Sequence, residues 1–347
     1  MFRVVYERSR EKYALFLPTE SETSSPVNED SYVAIQLTRM FLKHSRELYS
    51  TKFPVVHAVF RLAGLDGAVE VNRIVSPVVP GARDARQFDR VLTINQLLLG
   101  PTLYRGGAID LQLGLYASPG EDWAQRFLEL AQNVSALAIQ SSLAVGASLL
   151  RPVKQSIDTI IGANRLDLKV GISTQLEPGA WLRNGHLVVI ASPDFPVTGA
   201  DLQVHDGGLF DASGAYTDRD YIVLEIRVLP NRTDWQYLGL GRHWKQLILT
   251  ASRAREKKEV EQAYLAFATA VLGNDDLTWT DRQAICSLGK ARVVSIREDR
   301  STQFLDGMRS AGDADEHLLR VNPGEMALHV ASGPSSMKAL LETAWVA

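Results

Sequence analysis

Alternation with a period of two is the feature that most restricts how this chain can fold. Ile109, Leu111, Leu113 and Leu115 alternate with Asp110, Gln112, Gly114 and Tyr116, so a strand from Ile109 to Ala117 turns one apolar face toward a core. Gly64-Leu65-Asp66-Gly67 separates the strand-like runs Val55 to Leu62 and Ala68 to Val75. Asp-Gly supplies the positive backbone angles of a tight hairpin, so these two runs are expected to pair antiparallel.

Further strands are expected at Phe2 to Tyr6 and Tyr13 to Leu17, the two arms of an edge hairpin, and at Val91 to Asn95 and Leu166 to Ser173. Others follow at Trp181 to Ala191 around Asn184-Gly185, at Leu202 to His205 and at Tyr221 to Val228. Turn signals rather than regularly interposed helices separate them, which argues against a doubly wound parallel sheet. After the polar stretch Thr19 to Asp30, Ser31 is positioned to cap a helix. Val33, Leu37, Met40, Phe41, His44 and Leu48 recur there at helical spacing.

Residues 119–162 read as a helical insertion. Trp123, Phe127, Leu130, Val134 and Leu137 form one stripe, and a second helix runs from Pro152 to Gly162. From Trp235 onward the pattern turns helical: Trp244 to Ser252, Glu259 to Leu272 ending at Gly273-Asn274, and Thr280 to Leu288. A short strand at Arg292 to Ile296, helical pieces near Phe304 and Leu318, and a helix from Ser335 complete the reading. The expected class is α+β: an antiparallel β-sandwich-like core over residues 1–250 with its helical insertion, then a mainly helical region over residues 251–347.

Composition narrows the function classes. The 347 residues are 46% hydrophobic and 22% charged, a globular balance with material for two domains. Lys and Arg total 37 against 40 Asp and Glu, a formal net charge of -3, so no global positive field exists to hold nucleic acid. One cysteine, Cys286, excludes an internal disulfide framework and any Cys-rich metal centre, and it points to a reducing, cytoplasmic compartment. The first residues reach charge again at Glu7 and Arg8, too soon for a secretory signal, and read as a strand.

Several constellations carry residue types suited to chemistry. Asp206, Asp211, Asp218 and Asp220 form the densest acidic segment, offering the hard oxygens that calcium or magnesium takes from a loop. It lacks the EF-hand register, and Asp and Gly serve turn geometry equally well. Gly239-Leu240-Gly241 lacks the third glycine of a phosphate-binding turn, and Arg242, His243, Trp244 and Lys245 beside it form either a basic aromatic patch or a loop-to-helix junction. Cys286 lies among Ala284, Ile285 and Leu288, the setting of a small buried hydrophobe. Ser335 and Lys338 satisfy Ser-x-x-Lys, but Gly333-Pro334-Ser335 is also an ordinary helix start, and no partner motif accompanies it. The seven histidines contain no i, i+4 pair that would share a metal on a helix face.

Leu130 to Leu150 contains no charged residue and is about as long as a bilayer span of roughly 20 residues. Its Gln, Asn and Ser content suits only conditional insertion. Ala138, Ser142 and Gly146 recur every four residues, a small-residue stripe that permits close approach to a membrane neighbour, a partner helix or the chain's own sheet. Three functions compete on these grounds. The first is a non-catalytic interaction or adaptor module of a bacterial-type cytoplasmic multi-component system, with another protein as partner and no cofactor. The second is a membrane-active effector that inserts residues 130–150, and the third is a hydrolase with dispersed active-site residues.

Overall fold

A computed structural model describes residues 12–18, 25–43, 46–47, 50–76, 92–119, 167–191 and 202–306. The expected helices of the 119–162 insertion, the stripe Ala138, Ser142 and Gly146, the first hairpin arm at Phe2 to Tyr6, and Ser335 with Lys338 lie outside these residues. The chain divides into two compact units, one of Met1–Asn28 with Tyr32–Leu229, the other of Glu29–Ser31 with Pro230–Ala347. Residue 250 falls inside a helix of the second unit.

The strands of the first unit are, in chain order, β1 (Lys12–Pro18), β2 (Tyr32–Phe41), β3 (Arg46–Glu47), β4 (Ser50–Gly64), β5 (Gly67–Val75), β6 (Leu92–Leu103) and β7 (Ile109–Pro119). After these come β8 (Asp167–Leu176), β9 (Gly185–Ala191), β10 (Gln203–His205), β11 (Gly208–Asp211), β12 (Gly214–Ala215) and β13 (Tyr221–Leu229). One sheet runs β1-β9-β13-β2-β6; a second runs β3-β4-β7-β8, with β5 also paired to β4; β10, β11 and β12 form a third. Among the described strands every ladder is antiparallel.

The expected hairpin is present: Gly64 pairs with Gly67 across Leu65-Asp66, and Gly67 takes φ 126, an angle that L side chains rarely adopt. The alternation in β7 buries Ile109, Leu111, Leu113 and Leu115, which join Val56, Ala58 and Phe60 of β4 in a core shared with the other large sheet. That sheet contributes Ile35 and Leu37 from β2, Leu187 and Val189 from β9, and Ile222, Leu224 and Ile226 from β13. Two facing sheets with one core between them make a β-sandwich.

The helix expected from Ser31 is instead strand β2. It lies in the interior of its sheet between β13 and β6, and both of its faces are covered. Val33, Ile35, Leu37 and Met40 enter the main core. Phe41 joins a second cluster with Val188, Ile190, Tyr221 and Val223, over which Leu202, Leu209 and Tyr216 are laid by the small third sheet. A strand buried on both sides loses the polar-apolar alternation that announces it. Two other expectations change in detail: β6 continues to Leu103, and the strand expected from Trp181 begins only at Gly185.

The second unit holds a short 3₁₀ helix at Trp235–Tyr237, then α1 (Leu240–Arg253), α2 (Lys257–Leu272) and α3 (Trp279–Asp306). Leu240, Trp244, Leu247, Ile248 and Ala251 form the buried stripe of α1, the spacing of an amphipathic helix. Trp235, Trp244 and Phe267 meet edge-on or tilted, with ring centroids 5.6 to 6.4 Å apart, the geometry aromatic quadrupoles favour. α2 stops at Gly273, whose N–H donates to the Thr269 carbonyl. Thr278 then caps α3 by accepting from the Asp281 N–H at 3.1 Å.

The strand expected at Arg292 to Ile296 is part of α3. Val293 and Ile296, three residues apart, face the helical core while Val294 is exposed. Helical packing overrides the strand preference of two adjacent valines. Among the described residues no helix is long and apolar enough to cross a membrane.

Candidate functional site

The four aspartates weighed against turn geometry as cation ligands are spread along the small third sheet and the link from it to β13. Asp206 and Gly207, with φ 49 and 68, form the two-residue turn between β10 and β11, in which both central residues need positive φ. That turn is tied to β2: the Arg39 guanidinium donates to the Asp206 carbonyl at 3.0 Å, and the Thr38 hydroxyl to the Gly207 carbonyl at 3.3 Å. Asp211 accepts from the Ser213 N–H at 2.7 Å and from its hydroxyl at 2.6 Å. These hydrogen bonds hold the Asp211 carboxyl below the usual carboxylate range. Asp220 accepts from the Lys43 N–H at 2.7 Å, and Asp218 is exposed. Three of the four thus serve turn or backbone hydrogen bonding. Among the described residues no three His, Cys, Asp or Glu side chains gather so as to hold a metal.

Register brings a different set together on the outer face of the second sheet. Arg61 of β4 pairs with Glu70 of β5 on one side and with Asp110 of β7 on the other, and Asp110 pairs with Gln175 of β8. The result is a transverse row, Glu70, Arg61, Asp110, Gln175. The neighbouring row, two residues along each strand, is Asn72, Val59, Gln112, Ser173. Side chains two apart on a strand share a face, and those opposite on adjacent strands stand within reach of one another. Both rows therefore project from the same surface.

Within the first row the Arg61 guanidinium meets the Glu70 carboxylate at 3.1 Å, and the Gln175 amide donates to Asp110 at 3.0 Å. Between and around the rows lies a half-open depression of about 290 Å³. Its floor is Val59, and its rim carries a guanidinium, two carboxylates, two amides and the hydroxyls of β8. The row holds two carboxylates to one guanidinium, so its local formal charge is negative. β8 forms one edge of the sheet among the described strands, which leaves the Ser173 and Gln175 side of the depression beside a strand edge.

On the same face, two residues before Val59 on β4, His57 is buried at 1% exposure, and its Nε2 is 2.7 Å from Asn72 Oδ1. That hydrogen bond holds the Asn72 side chain of the second row in place.

The remaining candidates are placed as follows. Cys286 is buried, and burial pushes its thiol up to about 12, so the thiolate of a working nucleophile is suppressed. Trp244 is withdrawn into the helical core at 3% exposure, while Arg242, His243 and Lys245 are exposed. The indole therefore takes no part in the basic patch. The depression escaped sequence reading because its residues are drawn from four strands between positions 59 and 175, and only strand register assembles them. The one local signal was the polar half of the alternation in β7, Asp110 and Gln112.

Comparison with protein-family models, with curated proteins and with solved structures finds no match to this chain in any of the three.

Proposed function

We propose that this chain is a protein-interaction module, an adaptor without catalysis of its own, and that the two outward rows of the second sheet are its contact surface. The observation that supports this reading is the row Glu70, Arg61, Asp110, Gln175. Its opposed charges and amides sit at hydrogen-bond distance on four hydrogen-bonded strands, so a partner meets a polar surface already fixed in position. Preorganised polar groups on a rigid sheet lower the ordering cost of binding. An apolar floor beside a polar rim is the anatomy of a protein contact. The negative excess of the row selects a partner segment that contributes a cation, since complementary charge sets orientation and excludes wrong partners. A reducing compartment such as the cytoplasm suits a chain whose only thiol is buried and unoxidised.

Photo-crosslinking tests the reading in cells. A benzoylphenylalanine replaces Gln112 in one variant and Ala212, exposed at the tip of the third sheet, in a control. The reading expects a discrete protein adduct from position 112 that disappears when Arg61→Glu and Asp110→Lys are added. The same adducts from both positions, or none from position 112, overturn it.

A further inference from the structure

The described ion pairs of the helical unit single out one surface by omission. Arg232 is paired with Asp234 at 2.6 Å, Arg282 faces Asp275 at 3.8 Å, and Lys257 faces Glu261 at 3.9 Å. Arg242, His243 and Lys245 on the outer face of α1 are exposed. No carboxylate among the described residues reaches them. The sequence accounts for this, because from Trp235 through Arg255 there is not one Asp or Glu, while Arg242, His243 and Lys245 all fall in that stretch. The first turn of α1 likewise holds no acid, so the positive end of the helix is not offset by its own side chains.

Helix geometry gathers these groups. Arg242 and Lys245, three residues apart, fall within one stripe opposite the buried Leu240, Trp244, Leu247, Ile248 and Ala251. Just ahead of the helix, Tyr237 is 90% exposed. An aromatic ring left in water five residues before Arg242 along the chain resembles the anchor of a contact more than a packing residue.

We propose that this face of α1, with Tyr237, docks an acidic segment of a partner protein that carries an apolar side chain among its carboxylates. Charge complementarity names the acid, and the exposed ring names the apolar side chain. Two other polyanions fit less well. The chain as a whole carries a net charge of -3, which opposes the long-range approach of nucleic acid. The apolar face of α1 is already spent in the helical core, which leaves nothing to enter a bilayer in the manner of an interfacial helix. A short acidic segment needs only the local field of α1. The surface is separate from the rows of the second sheet, and the proposal stands or falls independently of them.

The test is fluorescence anisotropy of the full chain with a labelled glutamate peptide containing one central phenylalanine. A labelled thymidine oligonucleotide of equal length and vesicles of phosphatidylcholine with phosphatidylserine serve as comparators. The expected result is saturable peptide binding that weakens about tenfold with Arg242→Glu plus Lys245→Glu, falls further as salt shortens the screening length, and weakens severalfold with Tyr237→Ala. Arg61→Glu leaves it unchanged. The neutral pair Arg242→Gln plus Lys245→Gln, whose circular dichroism is matched to the parent, must show an intermediate loss. Absence of peptide binding, binding insensitive to the charge reversals, or tighter binding to the oligonucleotide or the vesicles overturns the proposal.

Discussion

Gly289→Ala in α3 opposes two effects whose magnitudes can be set against each other. Helix propensity alone makes the substitution favourable by about 1 kcal/mol, because glycine in a helix interior surrenders the most backbone entropy. Packing opposes it. A Cβ at this position falls 2.6 Å from Phe267 Cε1 and 3.1 Å from Cδ1, against the roughly 3.5–4.0 Å of an unstrained carbon contact. Phe267 has little room to retreat, since its ring rests against Trp244 at 5.6 Å and Trp235 at 6.4 Å. Overpacking of this kind costs about 1–3 kcal/mol. Setting the gain against the cost leaves a net loss of up to about 2 kcal/mol, opposite in sign to the propensity gain. Urea unfolding followed by the helical circular dichroism signal measures it. Phe267→Leu removes the obstructing ring edge, so the double variant should lose less than the sum of the two single losses, by about 1 kcal/mol. A raised midpoint for Gly289→Ala, or strict additivity, would refute the packing argument.

Other outcomes follow from the same structure. Gly207→Ala should destabilise the β unit by about 1–2 kcal/mol in urea unfolding, since a Cβ there needs φ 68 and lies 3.1 Å from Thr38 Cβ. Burial lowers the pKa of the His186 imidazole, against an opposing pull from Glu225, so the unfolded chain holds a proton that the folded chain releases. Stability is therefore full above the ordinary histidine pKa of about 6.5 and falls as pH drops through that value toward the folded one. His186→Gln should flatten this slope in urea midpoints taken from about pH 5 to 8. Cys286 should resist iodoacetamide at about pH 8 in the native chain and react once guanidinium unfolds it.

How much of this was legible in the residues depended on how many neighbours each element has. The hairpin at Asp66-Gly67 and the strand at Ile109 to Ala117 were readable because one local rule, turn chemistry or alternation, decides each. β2 was not, because its outer face is covered by the third sheet through Phe41, contacts nearly 170 residues away along the chain at Thr38 and Gly207. Val293 and Val294 suggested a strand, and only the neighbouring helices explain why that stretch stays helical. The acidic segment announced itself in sequence by density, yet the carboxylates of Asp211 and Asp220 accept from nearby backbone N–H groups. Arg61, Glu70, Asp110 and Gln175 showed no such density, since each sits alone in its own strand until register aligns them.

Affinity across a charge reversal of the row on the second sheet decides whether that surface binds a protein. With the crosslinked partner purified, calorimetric titration compares the parent chain with Arg61→Glu plus Asp110→Lys, each first shown to unfold at the same midpoint. Affinity should fall at least about tenfold while stability is unchanged. Equal affinity for the two chains would contradict it.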